Sequence, residues 1–300
     1  MIRLQTARLL AGLFFFVLAT ASQATPLASA DAACRNLGAR LENLTGDECR
    51  AAKLNVANTA SVQGQPILLR DFPATSRRRT PKRVLLIGGI HGDELSSVAI
   101  VFEWMRRLSA EKFQPFYWRV VPCMNPDGVL ANPSTRINAH GVDLNRNFAT
   151  PEWTAKATNY WQTKTKRDPR RFPGPRAASE PETQWLQAQI RSFRPDAIVS
   201  VHAPYGVLDF DGPRTPPRKL GFLNLNELGT YPGSLGNYAG EYLGIPVITL
   251  ELPNSESTPT PSQSARIWSD LLTWLERNLP KTEAPLYQRL DDPGWIPPRQ

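Results

Sequence analysis

The chain has 300 residues, 41% hydrophobic and 21% charged, a globular composition rather than a disordered or fibrous one. Its 35 basic and 27 acidic side chains give a formal charge of +8, which favours anionic partners without choosing among nucleic acid, membrane surface, cell-wall polymer and acidic small molecules. Three cysteines and three histidines exclude a disulfide-dense scaffold and a multi-finger zinc protein, and leave any metal site few ligands to draw on.

The first residues read as a secretory leader. Arg3 and Arg8 precede an apolar run over 9–19, and Ser22-Gln23-Ala24 ends in a small residue suited to cleavage. The run is short for a span of ~20 residues, so a cleaved leader over 1–24 is preferred to a retained anchor. Its removal takes two arginines and no acid, lowering +8 to +6. Export makes a disulfide between Cys34 and Cys49 the preferred reading over two unpaired thiols. Cys123, within Val120-Val121-Pro122-Cys123-Met124, reads as a buried thiol.

Strand and helix patterns then alternate. A hairpin is expected over 61–72 with its turn near Gly64, and a polar basic connector over 76–83. A buried strand over 84–87 leads into Gly88-Gly89, and a helix over 94–108 carries Val98, Val101, Phe102 and Met105 at helical spacing. Another strand is expected over 119–124. The basic, proline-containing stretch from Pro151 reads mainly as loop, with a helix over 180–193 behind a Ser179 cap and Glu182 three residues on. Strands over 197–201 and 245–250 and a helix over 264–279 complete the pattern. This predicts a single α/β domain with a mixed, mostly parallel twisted sheet flanked by helices. Ligands in such folds gather at the carboxyl ends of the strands.

His91 and Glu94 sit just beyond the strand ending at Ile87, and His202 ends another strand. Two imidazoles and a carboxylate form a catalytic zinc set. His140, in a polar stretch, reads as an exposed loop histidine. Glu251 ends the strand over 245–250, where a carboxylate beside a metal serves as general base; an ordinary strand-edge glutamate is the alternative.

Together these residues resemble the zinc carboxypeptidase superfamily. The likeness is carried by His91-Gly92-Asp93-Glu94, Asn125-Pro126-Asp127-Gly128, the run from Gly141 to Phe148 (GVDLNRNF), Ser179-Glu180-Pro181-Glu182-Thr183, His202 and Glu251. It extends over roughly 60–280 and is nearest the murein peptide amidase A branch, with Pro232-Gly233-Ser234-Leu235-Gly236 adding to that nearer match. The resemblance implies one zinc per chain on His91, Glu94 and His202, with Glu251 as general base. It implies that Arg136 stabilises the oxyanion, that Asn145 and Arg146 hold the substrate's terminal carboxylate, and that Asp143 supports the zinc histidine. It leaves Tyr231 and Tyr238 as alternatives for a tyrosine over the substrate, each with a packing role as the competing reading.

The implied substrate is a small murein-derived peptide cut at γ-D-glutamyl-diaminopimelate. Asp209 and Asp211 are candidates to meet the second amine of diaminopimelate, or are simply exposed acids. The expected organisation is a leader over 1–24, a cysteine-containing extension over 25–58, a carboxypeptidase-like catalytic domain over 59–282 and a tail over 283–300. The location is expected to be periplasmic or secreted, with no nucleic acid partner and no stable membrane insertion after cleavage. A conventional carboxypeptidase on L-peptides, an N-acyl amino-acid deacylase and a basic wall-binding protein are the rival readings. No Gly-x-Ser-x-Gly element competes, because Pro232 stands where its first glycine would be.

Overall fold

Residues 29–75 and 81–279 are described by the structure, a computed structural model. The expected leader over 1–24, the tail over 283–300 and most of the connector over 76–83 lie outside them. The strands are β1 (Asn55–Ala60), β2 (Pro66–Phe72), β3 (Lys82–Ile87), β4 (Phe116–Val121), β5 (Ala197–His202), β6 (Leu208–Asp211), β7 (Lys219–Leu220), β8 (Leu223–Asn224) and β9 (Val247–Glu251). The helices are α1 (Ala30–Arg40), α2 (Gly46–Ala51), α3 (Leu95–Ala110), α4 (Pro126–Leu130), α5 (Trp153–Thr163), α6 (Pro181–Phe193) and α7 (Pro261–Asn278).

Seven strands form one sheet in the order β1-β2-β4-β3-β5-β9-β6. The centre, β4-β3-β5-β9, is parallel; β2 and β6 pair antiparallel with its two edges, and β1 pairs antiparallel with β2. The central strands are apolar on both faces because helices cover both. Val84 and Leu86 of β3 pack into one cluster with Trp104, Trp118 and Trp268; Leu85 and Ile87 pack into the other with Trp185, Leu186 and Phe148. Strand alternation assigns successive side chains to opposite layers. From β3 the chain crosses to β4 on one side, and β5 lies on the other, so the carboxyl ends of β3 and β5 flank a topological switch point.

Three local expectations are corrected. The hairpin begins earlier, pairing β1 with β2 and turning at Gly64, whose φ of 79° suits glycine. The stretch after Pro151 is not mainly loop: α5 forms because Trp153 and Ala157 are buried one turn apart, and the basic residues follow the helix rather than interrupt it. Ser179 does not cap α6. Its hydroxyl accepts from Asn147 Nδ2 (2.9 Å) and donates to Glu180 Oε1 (2.6 Å), so a tertiary contact replaces the local one, and Glu180 occupies the cap position with Pro181 following.

Cys34 of α1 and Cys49 of α2 form a disulfide, and both are buried. These helices join the main core through Leu37, Leu41 and Leu44, and Arg40 Nε donates to the Val129 carbonyl at 3.1 Å. Loop closure over 15 residues is worth about 3 kcal/mol. The double variant Cys34→Ser/Cys49→Ser is therefore expected to lower the denaturant midpoint by that equivalent while the catalytic constants stay unchanged, since neither cysteine reaches the cleft. Cys123 is buried and unpaired, and burial pushes its thiol up to about 12, where it is inert.

Candidate metal centre and active-site cleft

His91 lies beyond β3 in a turn closed by Gly92, where a Cβ would fall 2.2 Å from the Gly128 carbonyl carbon. Glu94 follows as the N-cap residue of α3, so its side chain is set by the start of a helix anchored in the core. His202 ends β5, and Glu251 ends β9 as its register partner. All four are buried.

His91 Nδ1 lies 2.7 Å from Glu94 Oε1, His202 Nδ1 lies 3.0 Å from Glu94 Oε2, and the two Nδ1 atoms are 3.2 Å apart. All three ligand atoms fall within 4.8 Å of one another. Two imidazole nitrogens converging on one point leave no complementary donor between them unless a proton or a cation lies there. The donor set is that of a catalytic zinc site.

The far side of each ring is also engaged. His91 Nε2 is 3.3 Å from Asp143 Oδ1, an ion-pair distance without hydrogen-bond alignment. His202 Nε2 is 3.0 Å from Ser200 Oγ. Such contacts orient metal-binding imidazoles. The sequence reading missed Ser200, although alternation places it on the same strand face as His202, two residues on.

Asp143 is fully buried, accepts from Arg136 Nε at 2.9 Å and caps the 3-10 turn Leu144–Arg146 through the Asn145 N–H. Burial favours its neutral form, but Arg136 and His91 outweigh that and hold the carboxyl well below the usual range. Arg136 also approaches Glu94 Oε1 at 3.7 Å and lines the cleft. The Asn145 amide oxygen accepts from the Leu235 N–H at 2.8 Å, tying the 3-10 turn to the opposite wall.

Arg146 is buried, and desolvation lowers its guanidinium to about 10, still charged at neutral pH. Its guanidinium carbon lies 4.2 Å from the Tyr231 ring centroid, a cation–π contact. This separates the two tyrosine candidates. Tyr231 lines the cleft beside Arg146, whereas Tyr238 is buried and stacks on Phe148.

Glu251 carries a buried Oε2 with no hydrogen-bond partner among the described residues. Burial raises its carboxyl, Glu94 adds to the rise, and His202 and His91 oppose it. A bare carboxylate oxygen beside the His–Glu–His set is suited to proton transfer.

The same cleft is lined by Arg171 and Thr165 from the stretch after α5, and by Tyr205, Asp209 and Asp211. The two acids are not exposed loop residues: both are on β6 and buried. His140 lies apart from the cleft, its side chain 59% exposed and Nδ1 2.8 Å from buried Glu180. The other basic residues of the 164–176 stretch lie outside the cleft lining, and Arg170 pairs with Asp93 at 2.6 Å.

Comparison with known proteins agrees with this layout. The family model "Zinc carboxypeptidase" matches residues 41–211. Murein peptide amidase A of Escherichia coli (strain K12) is 33% identical over 223 residues, covering 71% of this chain and 87% of that protein. The protein of the same name from Vibrio campbellii is 37% identical over 201 residues, 64% of this chain and 77% of its own length. The solved carboxypeptidase A of Helicoverpa armigera superposes with a TM-score of 0.57 at 17% identity over 77% of this chain and 70% of that one, a likeness of fold. A His–Glu–His set at the carboxyl end of a mostly parallel sheet, on a chain with these matches, has one reading: the chain belongs to the zinc carboxypeptidase family.

Proposed function

We propose that this chain is a zinc-dependent amidase that hydrolyses the γ-D-glutamyl-diaminopimelate bond of murein peptides, next to a residue with a free carboxylate. The observation that carries the hydrolase reading is the convergence of both histidine Nδ1 atoms and Glu94 within 4.8 Å, in a cleft shared with Glu251 and Arg146. Relatives at 33% and 37% identity that carry the name murein peptide amidase A support the substrate class. One zinc per chain would be held by His91, Glu94 and His202. When bound, zinc supplies Lewis acidity and lowers the pKa of water.

The chain's own residues divide the remaining work. Arg146 and Asn145 hold the carboxylate of the leaving residue; a guanidinium does this through a two-pronged fork. Glu251 takes a proton from the attacking water and returns it to the departing amine. Arg136 donates toward the negative charge that develops on the carbonyl oxygen. Asp143 keeps both Arg136 and His91 in position. Export to the periplasm or beyond is part of the proposal; the leader-like first 24 residues and the Cys34–Cys49 disulfide support it. Among the described residues no helix is long and apolar enough to cross a membrane.

The deciding assay uses purified chain with L-Ala-γ-D-Glu-meso-diaminopimelate and with ordinary L-peptides, each with zinc or after chelation. Release of diaminopimelate that disappears on chelation and returns with zinc is expected, with a metal count of one per chain. Chelation is also expected to lower the unfolding temperature, because zinc at 100 times its dissociation constant stabilises by about 2.7 kcal/mol. Cleavage of L-peptides alone would make the chain a conventional carboxypeptidase.

A further inference from the structure

Arg136 follows α4 on a segment, 131–137, that belongs to no helix or strand. Its place is set by contacts. The Thr135 N–H donates to the Gly128 carbonyl at 2.9 Å, and the Thr135 hydroxyl to the Ile137 carbonyl at 3.0 Å. The Arg136 carbonyl accepts from Asn125 Nδ2 at 3.1 Å and from the Gly92 N–H at 3.3 Å, which joins the segment to the turn bearing His91. Ser134 closes the outer bend, its hydroxyl donating to the Val129 carbonyl at 2.8 Å.

That bend is also held from a distant part of the chain. Arg40, in the last turn of α1, shares its Nε–H between the Val129 carbonyl at 3.1 Å and Ser134 Oγ at 3.0 Å, and its Nη2 donates to the same hydroxyl at 2.5 Å. One planar guanidinium thus grips both ends of 129–134. Its base is rigid, because Leu37 and Leu41 fix α1 in the core. The interior of the bend leaves no slack. A Cβ on Gly128 would fall 2.6 Å from the Thr135 carbonyl oxygen and 2.7 Å from that of Ile137. Backbone packed this closely transmits a displacement instead of absorbing it. A shift of Ser134 is therefore passed to Arg136, two residues on, whose side chain lines the cleft.

We propose that Arg40 is a positioning residue for the reaction: it closes the bend 129–134 from outside and so fixes where the Arg136 guanidinium stands. The extension over 25–58 carries none of the motif residues, yet through Arg40 it sets the geometry of one of them. An oxyanion donor works only at a fixed place, and a misplacement of about 1 Å can cost about 100-fold in rate. Asp143 still holds Arg136 Nε, so the expected loss is smaller, about 10-fold. It falls on kcat, because the contact is made to the transition state and not to the bound substrate. Loss of the disulfide leaves Leu37 and Leu41 packed and Arg40 in place, in keeping with the unchanged catalytic constants expected of the double cysteine variant.

This inference rests on the oxyanion role proposed for Arg136, and the test separates the two. The zinc-loaded full chain is assayed with L-Ala-γ-D-Glu-meso-diaminopimelate as parent, Arg40→Ala, Arg136→Ala and the double variant. Arg40→Ala is expected to lower kcat about 10-fold, with KM within about 2-fold and zinc content unchanged. In the Arg136→Ala background the same change is expected to alter kcat by less than about 2-fold, because no guanidinium is left to misplace. A merely structural Arg40 would lower the denaturant midpoint and spare kcat, or slow both backgrounds by one factor; either result overturns the proposal. Amide hydrogen exchange supplies a readout apart from turnover. Arg40→Ala is expected to speed exchange at the Thr135 and Gly92 N–H groups by about 10-fold more than at the amides of β5. If the substrate is not hydrolysed, or Arg136→Ala is as fast as the parent, the reading of the cleft fails separately and exchange decides the inference: equal changes at Thr135, Gly92 and β5 reject it. Should Arg40→Ala fail to fold, Ser134→Ala removes the shared hydroxyl and carries the same expectation, a loss in kcat that vanishes beside Arg136→Ala.

Discussion

Glu251→Gln is expected to lower kcat by about 1000-fold with bound zinc and KM nearly unchanged. The amide keeps the shape of the side chain but cannot take a proton from water. Because Oε2 has no hydrogen-bond partner among the described residues, the amide nitrogen can take its place while the amide oxygen keeps the bond from the Tyr205 N–H. It also removes a charge that burial already disfavours, so the variant should be at least as stable as the parent. Steady-state kinetics, a metal count and thermal unfolding on one preparation check all three parts. Turnover within tenfold of the parent would remove Glu251 from the mechanism.

Arg136→Ala is expected to lower kcat by about 100-fold to 1000-fold, the usual cost of losing one oxyanion donor. This change should also be felt in the fold. Asp143 is fully buried and takes its 2.9 Å bond from Arg136 Nε, so truncation leaves an underpaired carboxylate. Breaking a buried pair costs about 3 kcal/mol or more, although the Asn145 N–H and His91 remain near Asp143 and soften the loss. Arg136→Lys separates the two effects: it returns a positive charge to Asp143 but not the rigid fork, so stability should recover further than rate. Denaturant midpoints set beside kcat for the two variants make that comparison. Equal recovery of both quantities would mean that Arg136 acts only through Asp143.

The candidate site was legible in the chain because its parts sit at the ends of apolar strands. His91, His202 and Glu251 each follow a run that only a buried strand explains, and in a parallel sheet strand ends converge whatever the loops do. The motif from Gly141 to Phe148 is equally local: Asp143 caps the turn that holds Asn145 and Arg146, so the residues and their spacing are one structural unit.

Other features depended on contacts made at a distance. The Ser179 hydroxyl is drawn to Asn147, thirty-two residues away, and abandons the cap its sequence suggests. The segment after Pro151 has prolines and charges enough to resemble loop, yet Trp153 finds a buried site beneath the Arg146 carbonyl, to which its indole N–H donates at 2.8 Å. Tyr231 and Tyr238 are seven residues apart with similar local surroundings, and only packing sends one to the cleft and the other to the core.

Sequence alone placed His91, His202 and Glu251 at or just beyond the ends of buried strands and set the layered α/β architecture, because these follow from strand periodicity; the roles expected of Arg136, Asn145 and Arg146 came from the resemblance to the zinc carboxypeptidases. Tertiary structure decided the wall of the cleft: Ser200 behind His202, Tyr231 beneath Arg146, and Asp209 and Asp211 buried on β6. An acid two residues from another reads as solvent-facing until the sheet around it closes. Its burial belongs to the assembled fold.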